Sequence, residues 1–282
     1  MRLFLTTVAV LLALFTPISQ AALLYKVSGN ELDKPSYLFG TMHILCAEDF
    51  RVPEQLEQRF SEVDQLVMEL DLTSPEVIFQ SASLMVNRNG PYLEQHLSDD
   101  QLTQVAGYIQ ENLNMSIPRA QRINPFVLST QIMIKQLPCA NTASYEGHLL
   151  TLAMAAEKPI KGLETAAFQL GLFDQIPIQN QVDMIWQMID NKSQSVADFK
   201  AMTQLYLAED IDQLYQLIAN DPSLGDFQQL ILDRRNQDWL TKIPSLMRER
   251  SSLIAVGAGH LGGEQGVVRL LRQAGYQVTP IN

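Results

Sequence analysis

The sequence is poor in the residues that most often carry chemistry. Its 282 residues include four histidines, two cysteines and two tryptophans. It has no Gly-x-Ser-x-Gly nucleophile elbow, no His-Glu-x-x-His zinc helix and no Gly-rich phosphate loop closed by a lysine. Serine-triad hydrolysis, the common helical zinc proteases and nucleotide binding are therefore unsupported. Positive charge is scarce too: 20 Lys and Arg stand against 31 Asp and Glu, a net charge of −11. Such an acidic chain suits neither nucleic acid nor an anionic membrane surface. Low-complexity stretches and linkers are also missing. With 46% hydrophobic and 18% charged residues, this is the composition of an ordinary globular protein.

Long apolar runs are confined to the N-terminus. Met1-Arg2 is a short basic start, Leu3 to Phe15 is almost wholly apolar, and Ser19-Gln20-Ala21 has the small-x-small form of a cleavage site. Residues 1–21 read as a secretory signal peptide, too short for a spanning helix with its flanks. No lipobox-like cysteine lies at the cleavage point. No later segment reaches the ~18 uninterrupted apolar residues that a span needs. The expected product is one mature domain over residues 22–282, periplasmic or secreted, without stable membrane insertion. In an oxidising compartment Cys46 and Cys139 can form a disulfide. Because Cys46 follows His43 by three residues, the alternative is a soft metal ligand beside that imidazole.

Patterning gives strands at 23–27 and 36–39, joined around Gly29-Asn30 as a hairpin, and further strands at 64–70, 158–164, 252–256 and 276–279. Helical spacing covers 53–61 and 74–137, the latter broken at Asn89-Gly90-Pro91, Ser98-Asp99-Asp100 and Pro118. Ser98 to Gln101 has capping-box form. Helices resume at 145–156, from 166 to about 250 with breaks at Pro177, Asp221-Pro222 and Pro244, and at 264–274. The order predicts an α/β fold with a helical lobe at about 74–250.

One short phrase occurs twice. Tyr37-Leu38-Phe39-Gly40-Thr41-Met42-His43 and Leu253-Ile254-Ala255-Val256-Gly257-Ala258-Gly259-His260 are each an apolar strand, a glycine, two residues and a histidine. A strand ending this way delivers an imidazole to the sheet edge where α/β proteins place their sites. Glu69 and Glu164 also terminate predicted strands. Two histidines and a carboxylate are a familiar divalent-metal set with positions left for water, and the other carboxylate can then serve as general base. The bland alternative is that each histidine caps a strand by bonding to backbone. Arg235 or Asn236, ahead of the second phrase, could reach the site as an oxyanion stabiliser, or lie on a solvated helix face. Gly259, Gly262, Gly263 and Gly266 make either an anion-binding helix start or a plain turn into a closely packed helix. His96 and His148 read as surface or structural, and Trp186 and Trp239 as core.

These residues resemble the TraB/GumN family. The resemblance rests on 37–43, Met-Glu-Leu-Asp at 68–71, Lys-Pro-Ile-Lys-Gly-Leu-Glu-Thr at 158–165, Arg-Asn at 235–236 with Trp239, and Val-Gly-Ala-Gly-His-Leu-Gly-Gly-Glu-Gln-Gly at 256–266. The motifs come in the family's order and span essentially the whole mature chain. The family is similar to the Tiki metalloproteases and, more distantly, to erythromycin esterases and a haem-binding lipoprotein. It implies an EreA/ChaN-like α/β fold with a mixed central sheet and two pseudo-repeated halves. It further implies a metal site of His43, Glu69 and His260, with Glu69, Glu164, Arg235 and Asn236 as catalytic or supporting residues. Manganese or cobalt is the implied ion, with zinc as the other candidate. Glu146 stands where the family usually carries aspartate, which keeps the charge. The expected function is an exported metal-dependent hydrolase acting on a peptide or protein. The competing expectation is a non-catalytic periplasmic protein that sequesters a peptide, haem or metal. A metal-independent esterase using His43 as base is a third option.

Overall fold

A computed structural model describes residues 22–220 and 227–281. The expected signal peptide and the helix break at Asp221-Pro222 lie outside the described residues. Among those described, the strands are β1 (Leu24–Ser28), β2 (Ser36–Thr41), β3 (Leu45–Cys46), β4 (Gln65–Met68), β5 (Thr142–Ala143), β6 (Ile160–Gly162), β7 (Ser252–Gly257) and β8 (Gln277–Pro280). Six of them form a mixed sheet in the order β6-β4-β7-β2-β1-β8, and β3 pairs with β5 in a separate two-stranded ladder. β6, β4, β7 and β2 run parallel, while β1 lies antiparallel to both β2 and β8. This is the expected α/β class with a mixed central sheet.

The local chemistry explains the order. β2, β4 and β7 are apolar runs buried along nearly their whole length, as parallel strands covered on both faces must be. The β1–β2 hairpin turns where Gly29, Asn30 and Glu31 take φ values of 80°, 48° and 64°. Left-handed backbone of this kind is tolerated by glycine and asparagine. β7, late in the chain, inserts between β4 and β2, so the two Gly-x-x-His strands are neighbours, with Gly40 opposite Val256 and Thr41 opposite Gly257.

Two apolar clusters result. The larger joins the sheet to surrounding helices and includes Phe39, Leu66, Tyr206, Trp239 and Ile254. The smaller belongs to the helices between Tyr92 and Asp190 and centres on Leu93, Ile109, Leu128, Ile132 and Ile185, with Trp186 packed partly buried against it. The capping box at Ser98 and Gln101 is formed in both directions. One expected break is absent: the helix Asp233–Glu249 runs through Pro244. Proline costs a helix roughly 3 kcal/mol, but Trp239, Ile243 and Met247 are buried on one face spanning the proline, and that packing holds the helix together.

Cys46 and Cys139 are bonded, with Cα atoms 5.7 Å apart, which settles the choice against a free thiol ligand. The bridge closes a loop of sequence separation 93. On chain-entropy grounds that is worth about 4–5 kcal/mol at most. Urea unfolding of Cys46→Ser/Cys139→Ser beside the oxidised protein should show a loss of about 2–5 kcal/mol, and an unchanged midpoint would contradict it.

Candidate functional site

Four parallel strands bring their C-terminal ends to one edge of the sheet. Thr41 is level with Gly257, Met68 with Ala255, and Gly162 with Met68. The residues just beyond these ends are therefore neighbours in space: His43 after β2, Glu69 after β4, Glu164 after β6 and His260 after β7. This is the edge where open α/β sheets place ligands. A short 3₁₀ turn, Ala258–His260, carries the second imidazole back over it.

Arg235 sits at the centre. It and Asn236 are buried on the helix Asp233–Glu249, so a solvated helix face is excluded for both. The guanidinium donates from Nε and Nη2 to Glu164 Oε1 and Oε2 at 2.8 and 2.9 Å, and from Nη2 to Glu69 Oε2 at 2.6 Å. Its Nη1 reaches Ile231 O at 3.4 Å and His260 Nε2 at 3.1 Å. All five N–H groups of the fork are thereby engaged inside the protein. Glu164 also accepts from Trp239 Nε1 at 2.8 Å, and the guanidinium lies 4.9 Å over that indole ring. Trp239 is thus core, as expected, and also a site contact.

Glu69 is the shared partner. Its Oε1 accepts from Gly257 N at 2.8 Å, and its Oε2 takes both Arg235 and Gln169 Nε2, the latter at 2.9 Å. Burial opposes its ionisation, but the Arg235 charge and the Gly257 amide prevail and hold it down to about 2.

The two histidines are held differently. Asn236 Nδ2 donates to the carbonyls of His260 and Gln265 at 3.3 and 2.8 Å, so its Oδ1 is left to accept from His260 Nδ1 at 2.7 Å. That fixes the tautomer and turns the Nε2 lone pair toward Arg235. Burial and the Arg235 charge push this imidazole down to about 3, so it is neutral. His43 is 64% exposed, and its Nδ1 lies 2.7 Å from Glu146 Oε1. Desolvation by the surrounding protein opposes its charged form, but the Glu146 bond and the charges of Glu69 and Glu146 outweigh that and lift it to about 9. The three groups approach one another above Gly257. A methyl placed there would lie 3.4 Å from Glu69 Oε1, 3.5 Å from His260 Cδ2 and 3.8 Å from His43 Nε2.

Sequence reasoning missed the supports. Glu146 entered only as a departure from a family pattern, yet it also accepts from Thr41 Oγ1 at 2.5 Å and Ser144 Oγ at 2.8 Å. Its signal was the N-cap: Ser144 caps the helix Tyr145–Ala155 and places Glu146 in the first turn. Gln169 had no signal, since nothing in its surroundings distinguishes it from other helical glutamines. The Gly-rich loop resolves as a packed turn. A Cβ on Gly262 would fall 2.1 Å from the Ile211 carbonyl, and Gly263 N donates to the chain's own Asp212 at 2.9 Å. His96 and His148 lie away from the site, near Gln179 and Glu57.

Two outcomes test this network. Arg235→Leu leaves two carboxylates buried without their cation and should destabilise the protein by about 3–5 kcal/mol in thermal melts. Glu69 has a lowered pKa, so its share of stability is present above about 4.5 and is lost as pH falls toward about 2. Glu69→Gln should therefore show a shallower loss of stability than wild type over that window, and identical acid profiles would count against the assignment.

Comparison with known proteins agrees with the motifs. The profile of the TraB/PrgY/gumN family matches residues 23–280. The metalloprotease TIKI2 of Danio rerio is 24% identical over 93% of this chain and 62% of its own length. Its counterpart from Xenopus tropicalis is 22% identical over 86% and 57%. The chain therefore spans about three-fifths of the length of these relatives. An uncharacterized protein of Shigella flexneri, YbaP, is 25% identical over 85% of this chain and 89% of its own. No solved structure matches. With its motifs in order and the profile covering nearly all of the described residues, the chain belongs to the TraB/PrgY/gumN family.

Proposed function

We propose that this chain is an exported metal-dependent hydrolase that acts on peptide bonds, with His43, His260 and Glu69 holding one divalent cation. The observation that carries the proposal is the meeting of these three side chains above Gly257. The names of the TIKI2 relatives support a metalloprotease-like role. Export is supported by the basic-apolar N-terminus and by the Cys46–Cys139 bridge.

The donor set fits such an ion in kind. Two imidazoles and a carboxylate suit manganese, cobalt or zinc. Each imidazole has its Nδ1 tied to an acceptor, Glu146 or Asn236, the outer-shell arrangement that orients metal-binding histidines. The space a Cβ would fill at Gly257 borders Glu69 Oε1, His43 Nε2 and the Cδ2 edge of His260. Against this, Arg235 engages both His260 Nε2 and Glu69 Oε2, so binding the ion requires the guanidinium to release them while Glu164 retains it. When bound, the ion lowers the pKa of a water and polarises a carbonyl.

The surrounding residues act by positioning. Glu164 has both oxygens committed and is buried, so it anchors Arg235 rather than exchanging protons with a substrate. Arg235 keeps Glu69 ionised, and the N–H groups it frees on releasing His260 Nε2 and Glu69 Oε2 are the ones that could meet an oxyanion. Asn236 sets the His260 tautomer. Glu146 holds the His43 ring and accepts its Nδ1 proton.

Elemental mass spectrometry on mature, unchelated protein should find about one manganese, cobalt or zinc per chain, lost in His43→Ala/His260→Ala. Gly257→Ala should lose the ion with little change in melting temperature, because the methyl makes only ordinary contacts while occupying space that borders Glu69 Oε1 and His43 Nε2. Metal retained in the double variant would sink the proposal. Tight retention of a peptide or haem without turnover would turn it toward sequestration, and activity persisting in chelator toward metal-free hydrolysis.

A further inference from the structure

The segment that leaves Glu69 carries an apolar surface without a cover. The turn after β4 is short and fixed: Thr73 N and Oγ1 both donate to Asp71 Oδ1, at 3.0 and 2.6 Å, and Ser74 N to Asp71 O at 3.1 Å. Ser74 then caps the helix Pro75–Leu84, which has no buried residue. Its sequence, Pro-Glu-Val-Ile-Phe-Gln-Ser-Ala-Ser-Leu followed by Met85-Val86, has apolar side chains on every side and no charge after Glu76. A helix of that kind is normally covered all round. Here one stripe, Val77, Gln80, Ser81 and Leu84, is partly covered, and the helix packs against Ala166–Phe173. The opposite face is bare: Phe79 is 74% exposed and Ile78 56%, and Leu72, Met85 and Val86 are exposed as well. These make up five of the nine large hydrophobics exposed among the described residues. A contiguous bare patch, unlike a scattered one, marks a binding surface.

The patch begins beside the candidate site. Leu72 lies three residues past Glu69, and the helix that supports the patch carries Gln169, which bonds Glu69. We infer that Leu72, Ile78, Phe79 and Met85 form a docking surface for an uncharged, apolar stretch of polypeptide substrate, seated beside the bond presented to His43 and Glu69. No charged side chain lies among Val77 to Val86, so shape and apolar burial select the partner. This inference rests on the hydrolase reading for the substrate's fate but not for its docking.

The test separates the two. Fluorescence anisotropy would compare a labelled uncharged dodecapeptide rich in Leu, Val and Phe with its serine-substituted counterpart. Wild type should bind the apolar peptide at least tenfold more tightly. That preference should vanish in Ile78→Ser/Phe79→Ser, return in Ile78→Val/Phe79→Leu, and survive in His43→Ala/His260→Ala. Docking without cleavage in manganese or cobalt would leave the surface standing while the hydrolase reading fails. Equal affinity for both peptides, or an unaffected serine variant, would overturn the inference. A concentration-dependent dimer dissolved by the serine substitutions would assign the patch to a second copy, and recruitment to phosphatidylcholine vesicles would assign it to lipid. Either result would also overturn it.

Discussion

Everything at the site depends on one buried cation. Arg235 stands between Glu69 and Glu164, beside His260 Nε2 and over the Trp239 ring. Burying two carboxylates is unfavourable unless a countercharge accompanies them, and the guanidinium fork supplies that charge with geometry matched to both. The field it creates then propagates. Glu69 stays ionised, His260 stays neutral, and Glu69 in turn helps His43 to take a proton. The two imidazoles, alike in sequence setting, are thus shifted in opposite directions, His260 downward by burial and the Arg235 charge, and His43 upward, against desolvation, by Glu146 and Glu69.

The parts of the fold that the sequence made legible are those with short-range signals. The apolar runs before Gly40 and Gly257, the carboxylates after 64–68 and 160–162, and the Ser98 box all follow from local periodicity and capping, and each appears in the structure. Parallel strands did the rest: once four strand ends share an edge, the residues after them must meet. What local pattern did not carry was tertiary. The ladder between β3 and β5 involves only two residues a side, too short to show periodicity. Pro244 signalled a break that packing overrode. The Glu146 and Gln169 contacts depend on helices whose docking no local pattern encodes.

The disulfide gives the His43–Glu146 pair its mechanical frame. Cys46 ends β3, three residues beyond His43, and Cys139 precedes β5 and Glu146. Covalent bond and ladder together fasten two loops that would otherwise be free to separate. The more exposed imidazole is thereby placed by a crosslink, while the buried one is placed by packing.

The position of β7 carries a consequence for synthesis. The strand that occupies the middle of the parallel set, between β4 and β2, comes after nearly all the helices in the chain. Until residues 252–257 leave the ribosome, β2 and β4 have no common neighbour, and their apolar edges stay unpaired. The sheet therefore cannot close until that last parallel strand is available. Open edges of this kind are prone to edge-to-edge mispairing, and the site that joins the two histidines is among the last things to form.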